Sequence, residues 1–336
     1  MPGRRPCLAL ISLGGTIAMA QGEDGAGVRP ALNSAALLDA IPALGDMAEI
    51  QAEDFATKAS ANLTFDDARA VAARIAALDA AAGSGGIDGI VVTQGTDTLA
   101  DMAFLLAVIL RPRCPVMLTG AMRHPAQPSA DGPANLLAAA RAALSPELAG
   151  LGPLVVMNDR VYDPKYLRKT DSSNIAAFAS GIGPLAVIVE SQVRLLARPA
   201  PLPHIPHDTI SAAPRVAMVI AAFDDDGRLL DTLDDSFGGA VIGALGGGHL
   251  SESMADRAAA LARRMPVVLA ARMTPGPVLT ETYGYRGGEI DLIGRGLIPA
   301  GLYDAQRARL LLALALASGL DQDRIADILE DRAPAS

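Results

Sequence analysis

The chain has 336 residues, a formal net charge of -9 and a pI near 4.9, and 51% of its residues are hydrophobic. It is long enough to bury the cores of two domains, and its negative charge disfavours a role in binding nucleic acid or an anionic membrane surface. Its two cysteines, Cys7 and Cys114, lie far apart in sequence, so no disulfide framework is expected and a reducing compartment fits.

The first predicted strand covers residues 8–13 and ends at Gly14 and Gly15, which are followed by Thr16. Two glycines permit positive φ and close backbone approach, so the next side chain can lie at the carboxyl end of the strand, where ligands bind in open α/β sheets. Such a tripeptide alone is more often a loop, and a catalytic role for Thr16 therefore depends on a second motif.

Residues 1–20 imitate a signal peptide, but cleavage there would remove Thr16. No apolar run reaches the ~20 residues that span a bilayer. We therefore expect a cytoplasmic protein.

The second motif is the stretch GIVVTQGTDTLADMAFLLAVIL, which predicts a buried strand at 89–92, a polar turn and an apolar helix. Thr98 and Asp101 have the spacing of a capping box, so the helix is predicted to begin near Thr98, with Thr96 and Asp97 just before it. A helix start offers free N–H groups and partial positive charge, which suit a substrate carboxylate or the oxyanion of an acyl-transfer intermediate.

Strands and helices alternate through residue 190, which is typical of a parallel α/β sheet. Thr64 with Asp67 predicts a second helix cap, and Pro133 suits a first helical turn. The predicted strands lie near Leu8, Ile90, Val116, Leu154 and Leu185, and the predicted helices lie near Leu37 and at 68–78, 99–110 and 133–144.

A stretch rich in proline, residues 198–214, is predicted to be a linker. It separates an N-terminal α/β catalytic domain at 1–197 from a smaller C-terminal α/β domain at 215–336. Strands near Val216, Ala240 and Val267 and helices at 254–264 and 305–317 are expected in the second domain.

Neither a metal nor an organic cofactor is expected. Four histidines (His124, His204, His207 and His249) are scattered, and neither cysteine has a partner at metal-ligand spacing. The glycine-rich stretches at 83–89 and 243–249 lack the spacing and position of a dinucleotide fingerprint, so both are interpreted as turns.

Six motifs in this order resemble those of the bacterial-type L-asparaginases, which release ammonia from asparagine and sometimes from glutamine. The motifs are LGGTIA around Thr16, VVTQGTDT around Thr96, LTGAMR at 118–123, SADGPANL at 129–136, LVVMND at 154–159 and the pair Lys169-Thr170. The resemblance covers nearly the whole chain. It implies a two-domain α/β fold with a larger, mostly parallel N-terminal sheet, and homotetramers or homodimers whose sites lie at subunit interfaces.

The resemblance implies that Thr16 is the nucleophile and that Thr96, Asp97 and Lys169 form a second catalytic group. The chemistry agrees, because a threonine hydroxyl is a weak nucleophile that needs a proton acceptor, and a lysine beside Asp97 and Thr96 could supply one. The resemblance further suggests that the backbone amides of Thr96 and Ala121 hold the oxyanion.

Substrate recognition departs from the usual pattern of the family. The segment TKASANL aligns with the substrate loop of the family, so Ser60 is expected to bind the α-carboxylate of the substrate. In the same loop, Ala61 and Asn62 replace a glutamine and an aspartate. Asp97, in the second motif, is expected to bind the α-ammonium group. An asparagine that the family usually has later in the chain falls at or next to His249. The acidic residue that a neighbouring subunit usually lends to the α-ammonium group falls near Tyr283, with Glu281 close by. The lid is expected at 18–33, where the usual tyrosine is absent; Tyr283 or Tyr285 is a candidate substitute.

Three other functions remain open at this stage. The altered substrate loop permits a related ω-amidase or glutaminase with a shifted substrate. The scaffold could instead serve a non-catalytic ligand-binding protein, in which Thr16 would have no role. A nicotinamide-dependent enzyme is the remote alternative.

Overall fold

A computed structural model divides the chain into two compact units, Met1–Pro201 and Leu202–Ser336. The structure describes residues 4–15, 17, 19–21, 28–30, 41–82, 86–272 and 276–330. The linker and the domain limits expected from the sequence stay predictions. No helix in these ranges is both long and apolar enough to cross a bilayer.

The first unit is built on an eight-stranded sheet. The strands described in this unit are β1 (Cys7–Ser12), β2 (Met19–Gln21), β3 (Val28–Pro30), β4 (Glu49–Asp54), β5 (Gly89–Thr93), β6 (Val116–Thr119), β7 (Pro153–Met157), β8 (Arg160–Tyr162), β9 (Leu167–Lys169), β10 (Phe178–Ser180), β11 (Ala186–Val189) and β12 (Gln192–Leu195). The order in the sheet is β12-β11-β8-β7-β6-β5-β1-β4. Its pairs are parallel from β4 to β7 and antiparallel from β7 to β12. Strands β1, β5, β6 and β7 are buried along their whole length, as expected of parallel strands covered on both faces.

The helices described in this unit are α1 (Pro42–Met47), α2 (Phe65–Ala80), α3 (Leu99–Ile109) and α4 (Gly132–Ala143). The predicted capping box of α2 is confirmed, since the Thr64 side chain accepts from the Asp67 backbone and the Asp67 carboxylate accepts from the Thr64 backbone. Pro133 lies in the first turn of α4, as predicted. The helix predicted near Leu37 lies outside the described residues.

The predicted capping box at the start of α3 is wrong. Thr98 is the residue before the helix, but within the described chain its side chain makes no capping hydrogen bond. Its hydroxyl instead donates to the carbonyl oxygen of Ser60 at 2.9 Å. A tertiary contact therefore replaces the local cap, and residues Thr96–Thr98 enter the helix through a 3-10 turn.

Two short antiparallel pairs lie outside the main sheet. Strands β2 and β3 pair with Met19 opposite Pro30 and fall within the segment expected to form the lid, whose connecting residues 22–27 lie outside the described chain. Strands β9 and β10 pair with Lys169 opposite Phe178. The second hairpin therefore fixes the backbone of a predicted catalytic lysine.

The second unit contains a four-stranded parallel sheet of β13 (Arg215–Ile220), β14 (Phe237–Ala244), β15 (Val267–Ala271) and β16 (Ile298–Asp304), in that order. The predicted α/β class with a smaller second sheet is therefore confirmed. The helices described in this unit are α5 (Glu252–Ala262), α6 (Glu289–Gly294), α7 (Ala305–Ala317) and α8 (Gln322–Leu329). Gly239 in β14 leaves room for Leu312 of α7, because a Cβ there would lie 3.0 Å from that side chain.

Candidate active site

Strands β1, β5 and β6 of the first unit end side by side, and the turns that follow them lie at one edge of the sheet. Ser12 of β1 is opposite Thr93 of β5, and Thr93 is opposite Thr119 of β6. The turns that follow begin at Gly14, Gln94 and Gly120. The carboxyl edge of the parallel strands is where ligands bind in such sheets, so these turns form the candidate site.

The first two turns touch through glycine. Gly14 and Gly15 have φ of 90° and 89°, a region that few other residues adopt. A Cβ on Gly15 would lie 2.0 Å from the backbone nitrogen of Gly95. Only glycine at position 15 allows this approach, and it brings the residue before Thr16 against the residue before Thr96. Thr16 itself lies outside the described residues.

The third turn packs on the second in a similar way. A Cβ on Gly120 would lie 2.5 Å from the carbonyl oxygen of Gln94 and 3.2 Å from Cγ2 of Thr96. The next residue, Ala121, is fully buried. The turn that carries Ala121 is therefore in contact with the Thr96 side chain.

Lys169 joins the two polar groups of the second turn. Its ammonium Nζ donates to Oγ1 of Thr96 at 2.9 Å and to Oδ1 of Asp97 at 2.8 Å. The side chain of Lys169 is 20% exposed and that of Asp97 is 69% exposed, whereas Thr96 is buried. One cation is thus held between a buried hydroxyl and a carboxylate that reaches solvent.

Ser60 lies at the rim of the same turn. It is 3% exposed and opens a 3-10 turn, Ser60–Asn62. A Cβ on Gly95 would lie 2.7 Å from the Ser60 hydroxyl oxygen, so this hydroxyl rests against the backbone before Thr96. Ala61 and Asn62 are exposed. The structure therefore brings Ser60, Thr96, Asp97 and Lys169 together.

The helix that follows Ser60 is anchored by an ion pair. The Asp67 carboxylate accepts from Lys58 Nζ at 2.7 Å as well as from Thr64. Burial raises the pKa of Asp67, but the hydrogen bonds from Lys58 and Thr64 outweigh it and hold the pKa below its ordinary value. Asp67 is therefore ionised at neutral pH, and it fixes the chain on both sides of the Ser60 turn.

Two polar residues near the site were missed as individual candidates by the sequence analysis, although both lie in the SADGPANL motif. The carboxylate of Asp131 accepts from the backbone nitrogens of Met122 and Arg123, and Asn135 donates to the carbonyl oxygen of Gly120. Both hold the turn that carries Ala121. The motif itself was the signal, but only the structure shows what these side chains contact.

The second unit contains another cluster of predicted residues. The rings of His249 and Tyr283 lie 4.8 Å apart edge to face, and Tyr285 lies 5.6 Å from His249. The carboxylate near these rings belongs to Glu289, which the sequence analysis missed, whereas Glu281 is exposed. Within the described residues, Glu289 Oε2 lies 3.3 Å from His249 Nε2, without the alignment of a hydrogen bond.

Glu289 is fully buried and ionised. Its Oε1 accepts from the backbone nitrogens of Thr282 and Tyr283 at 2.9 Å and 2.6 Å. Burial raises the pKa of Glu289, but these backbone donors and the nearby His249 outweigh it and lower the pKa. The carboxylate therefore fixes the backbone at Tyr283 beside the histidine.

Metal-binding side chains do not converge in the part of the chain that the structure describes. No three His, Cys, Asp or Glu side chains lie close enough together there to hold an ion. The chemical groups that meet at the candidate site are hydroxyl, carboxylate, ammonium and backbone amide. Such a set suits proton transfer and acyl transfer.

Comparison with known proteins gives matches over nearly the whole chain. A family model described as "Asparaginase, N-terminal" matches residues 7–201, and one described as "Glutaminase/Asparaginase C-terminal domain" matches residues 215–329. A protein of Deinococcus radiodurans named "Probable L-asparaginase" is 38% identical over 97% of both chains. An L-asparaginase of Bacillus licheniformis is 32% identical over 93% of this chain and 95% of that protein.

A solved structure shares the fold as well. The "Probable Cytoplasmic L-asparaginase" from Campylobacter jejuni superposes with a TM-score of 0.85 and 28% identity, over 97% of this chain and 99% of that one.

Proposed function

Because the chain belongs to the asparaginase family of hydrolases, we propose that it hydrolyses the side-chain amide of L-asparagine to L-aspartate and ammonia. One observation carries the proposal. The Lys169 ammonium bridges the Thr96 hydroxyl and the Asp97 carboxylate at the carboxyl edge of the sheet. Thr96 directly follows Gly95, the residue that Gly15 contacts.

In the proposed reaction, Thr16 is the nucleophile. Its hydroxyl oxygen attacks the amide carbon, the carbon–nitrogen bond breaks, and ammonia leaves with the proton that the hydroxyl gives up. Water then attacks the resulting ester, which releases the acid and restores the hydroxyl. Support comes from Gly15, whose close approach to Gly95 joins the chain before Thr16 to the chain before Thr96.

Thr96, Asp97 and Lys169 have the proposed role of moving protons in both steps. Lys169 is held at 2.9 Å from a hydroxyl that is buried, so it can relay a proton to or from Thr96 directly. Asp97 orients the ammonium through its contact of 2.8 Å. Its exposed carboxylate is also a suitable anchor for the α-ammonium group of an amino-acid substrate.

The remaining contacts in the proposal stabilise charge. Backbone amides of Thr96 and Ala121 are the proposed donors to the oxyanion, and Ser60 is the proposed donor to the α-carboxylate. The contact of Gly120 with Thr96 keeps the two amide-bearing turns together. No cofactor takes part in the proposed steps.

The test is release of ammonia from L-asparagine by the wild-type protein and by Thr16→Ala. We expect turnover by the wild type and a loss of kcat of at least about 10²-fold in the variant, because the covalent route is removed. An unchanged rate in Thr16→Ala would refute Thr16 as nucleophile, and binding of asparagine without any turnover would favour a ligand-binding protein.

A second candidate function is hydrolysis of glutamine or of another ω-amide. It is favoured by Ala61 and Asn62, exposed residues that replace the two polar residues expected in the substrate loop. Ammonia release should be compared for L-asparagine, L-glutamine, their D forms and their α-blocked forms. A higher kcat/KM for any of these than for L-asparagine would select the second candidate.

We further propose a homotetramer or homodimer in the cytoplasm, as the family resemblance suggests. The name of the solved structure from Campylobacter jejuni, "Probable Cytoplasmic L-asparaginase", supports the location, as do the free thiols of Cys7 and Cys114. Light scattering together with activity on dilution tests the assembly, and a fully active monomer would contradict it.

A further inference from the structure

We propose that Asp131 and Asn135 are positioning residues for amide hydrolysis, which hold the turn at residues 120–123 against Thr96. The inference rests on the proposed function, since it concerns how that site is kept in order. In the described part of the chain both side chains bond to the backbone at residues 120–123, so each would act through the turn that carries Ala121.

Asn135 connects three segments of the first unit. Its Nδ2 donates to the carbonyl oxygen of Gly120 at 3.0 Å and to Oδ2 of Asp131 at 3.0 Å, and its Oδ1 accepts from the backbone nitrogen of Asn158 at 2.9 Å. The side chain is 3% exposed, so water does not replace these partners. Because both amide hydrogens and the amide oxygen are used, the orientation of Asn135 is fixed.

Asp131 holds the next part of the same turn. Its Oδ1 accepts from Arg123 N at 2.8 Å, and both carboxylate oxygens lie within 3.1 Å of Met122 N. The residue stands directly before α4, yet in the described chain its side chain makes no capping bond to that helix. A carboxylate at a helix start usually satisfies the helix itself, whereas this one is committed to the turn.

Gly120 connects the turn at residues 120–123 to Thr96. The carbonyl oxygen of Gly120 is the group that Asn135 holds, and the Cα of Gly120 is packed on Gln94 and Thr96. A shift of the turn therefore moves either Ala121 or the Thr96 side chain. A displacement of about 1 Å at such a place is enough to cost about 10²-fold in rate.

The chain contains a matched control at the other end of the same strand. The Asp79 carboxylate accepts from the backbone nitrogens of Arg113 and Cys114, both at 2.9 Å, just before β6 begins. Asp131 accepts from two backbone nitrogens just after β6 ends. Alanine at either position leaves two backbone donors of a turn without their acceptor, but only the second turn contacts Thr96.

The experiment compares Asp131→Ala, Asn135→Ser and Asp79→Ala with the wild type. For each variant, kcat and KM for the hydrolysis of L-asparagine and the urea midpoint of unfolding are measured. We expect Asp131→Ala and Asn135→Ser to lower kcat by about 10²-fold with KM changed by less than about threefold, because an oxyanion contact acts in the transition state. Asp79→Ala should lower the urea midpoint and leave kcat within about twofold of the wild type.

The outcomes separate this proposal from the proposed function. An active wild type with Asp131→Ala and Asn135→Ser no slower than Asp79→Ala would overturn the positioning role alone. Failure of both variants to fold while Asp79→Ala folds would overturn it too, because their role would then be structural. A wild type inactive on asparagine and on the other amides would overturn the proposed function, and the positioning role with it.

Discussion

Replacement of Lys169 by methionine removes the ammonium and keeps a side chain of similar length. Two contacts are lost, one to Thr96 at 2.9 Å and one to Asp97 at 2.8 Å. A positioned acid–base group contributes about 10² to 10⁴ in rate, so the activation barrier should rise by about 2.7 to 5.5 kcal/mol. The loss in folding stability should be about 1 to 3 kcal/mol, because the buried Thr96 hydroxyl loses its partner. The pair with Asp97 adds little to this loss, since Asp97 is 69% exposed and solvent weakens the pair.

The assay is kcat for ammonia release from L-asparagine, measured beside the free energy of unfolding in urea. Arg4→Met is the matched control, since Arg4 forms a partly exposed ion pair with Asp88 at 2.6 Å at the opposite end of the sheet. Lys169→Arg should not restore the rate, because a guanidinium does not give up its proton at neutral pH. A kcat of Lys169→Met within about threefold of the Arg4→Met control would show that Lys169 is not an acid–base group, because such a group contributes far more than that.

Further predictions concern stability and thiol reactivity. Gly15→Ala should unfold the protein at lower urea than Gly150→Ala and abolish activity, because both glycines have positive φ but only the first would place a Cβ against backbone, 2.0 Å from Gly95; equal midpoints would contradict this. Burial raises the pKa of Asp79, but hydrogen bonds from the backbone of Cys114 and Arg113 outweigh burial and lower the pKa below its ordinary value. The stability that Asp79 contributes is therefore present above the pKa of about 3.9 in the unfolded chain, and it is lost as pH falls through the lower pKa of the folded protein. The gap in stability between the wild type and Asp79→Ala should therefore be full at pH 7 and narrow below about pH 4, and a gap that widens there would be a refutation. Burial raises the pKa of the Cys114 thiol to about 12, so iodoacetamide at pH 8 should label it only after unfolding, as peptide mass mapping would show.

The sequence was sufficient for the central parallel strands of the sheet and for the edge at which the site lies. Apolar runs near Leu8, Ile90 and Val116 are followed by glycine or polar turns, and parallel strands must end at one edge. The observed register, with Ser12, Thr93 and Thr119 in one row, follows from that pattern.

The partners of individual side chains were not predictable in the same way. Lys169 is 72 positions from Asp97, and its approach depends on the hairpin of β9 and β10, which the apolar pattern did not predict. Its role was inferred only from a family resemblance. The structure adds the contacts of Lys169 with Thr96 at 2.9 Å and with Asp97 at 2.8 Å, which are close enough for proton transfer.

Local patterns failed where a tertiary contact competed with them. Thr98 and Asp101 have capping-box spacing, but the Thr98 hydroxyl donates to Ser60 instead. Glu281 was the acidic candidate because it is near Tyr283 in sequence, yet α6 brings the Glu289 carboxylate to the Tyr283 backbone. Spacing alone cannot rank such partners, because both depend on how separate segments pack.

The most direct test of Thr16 as the nucleophile is interception of the acyl-enzyme by hydroxylamine during turnover of L-asparagine. If Thr16 forms an ester, hydroxylamine competes with water for it. We expect aspartyl hydroxamate beside aspartate from the wild type, and neither product at a comparable rate from Thr16→Ala. Ammonia release by the wild type with no hydroxamate, or hydroxamate formed by Thr16→Ala at the wild-type rate, would contradict it.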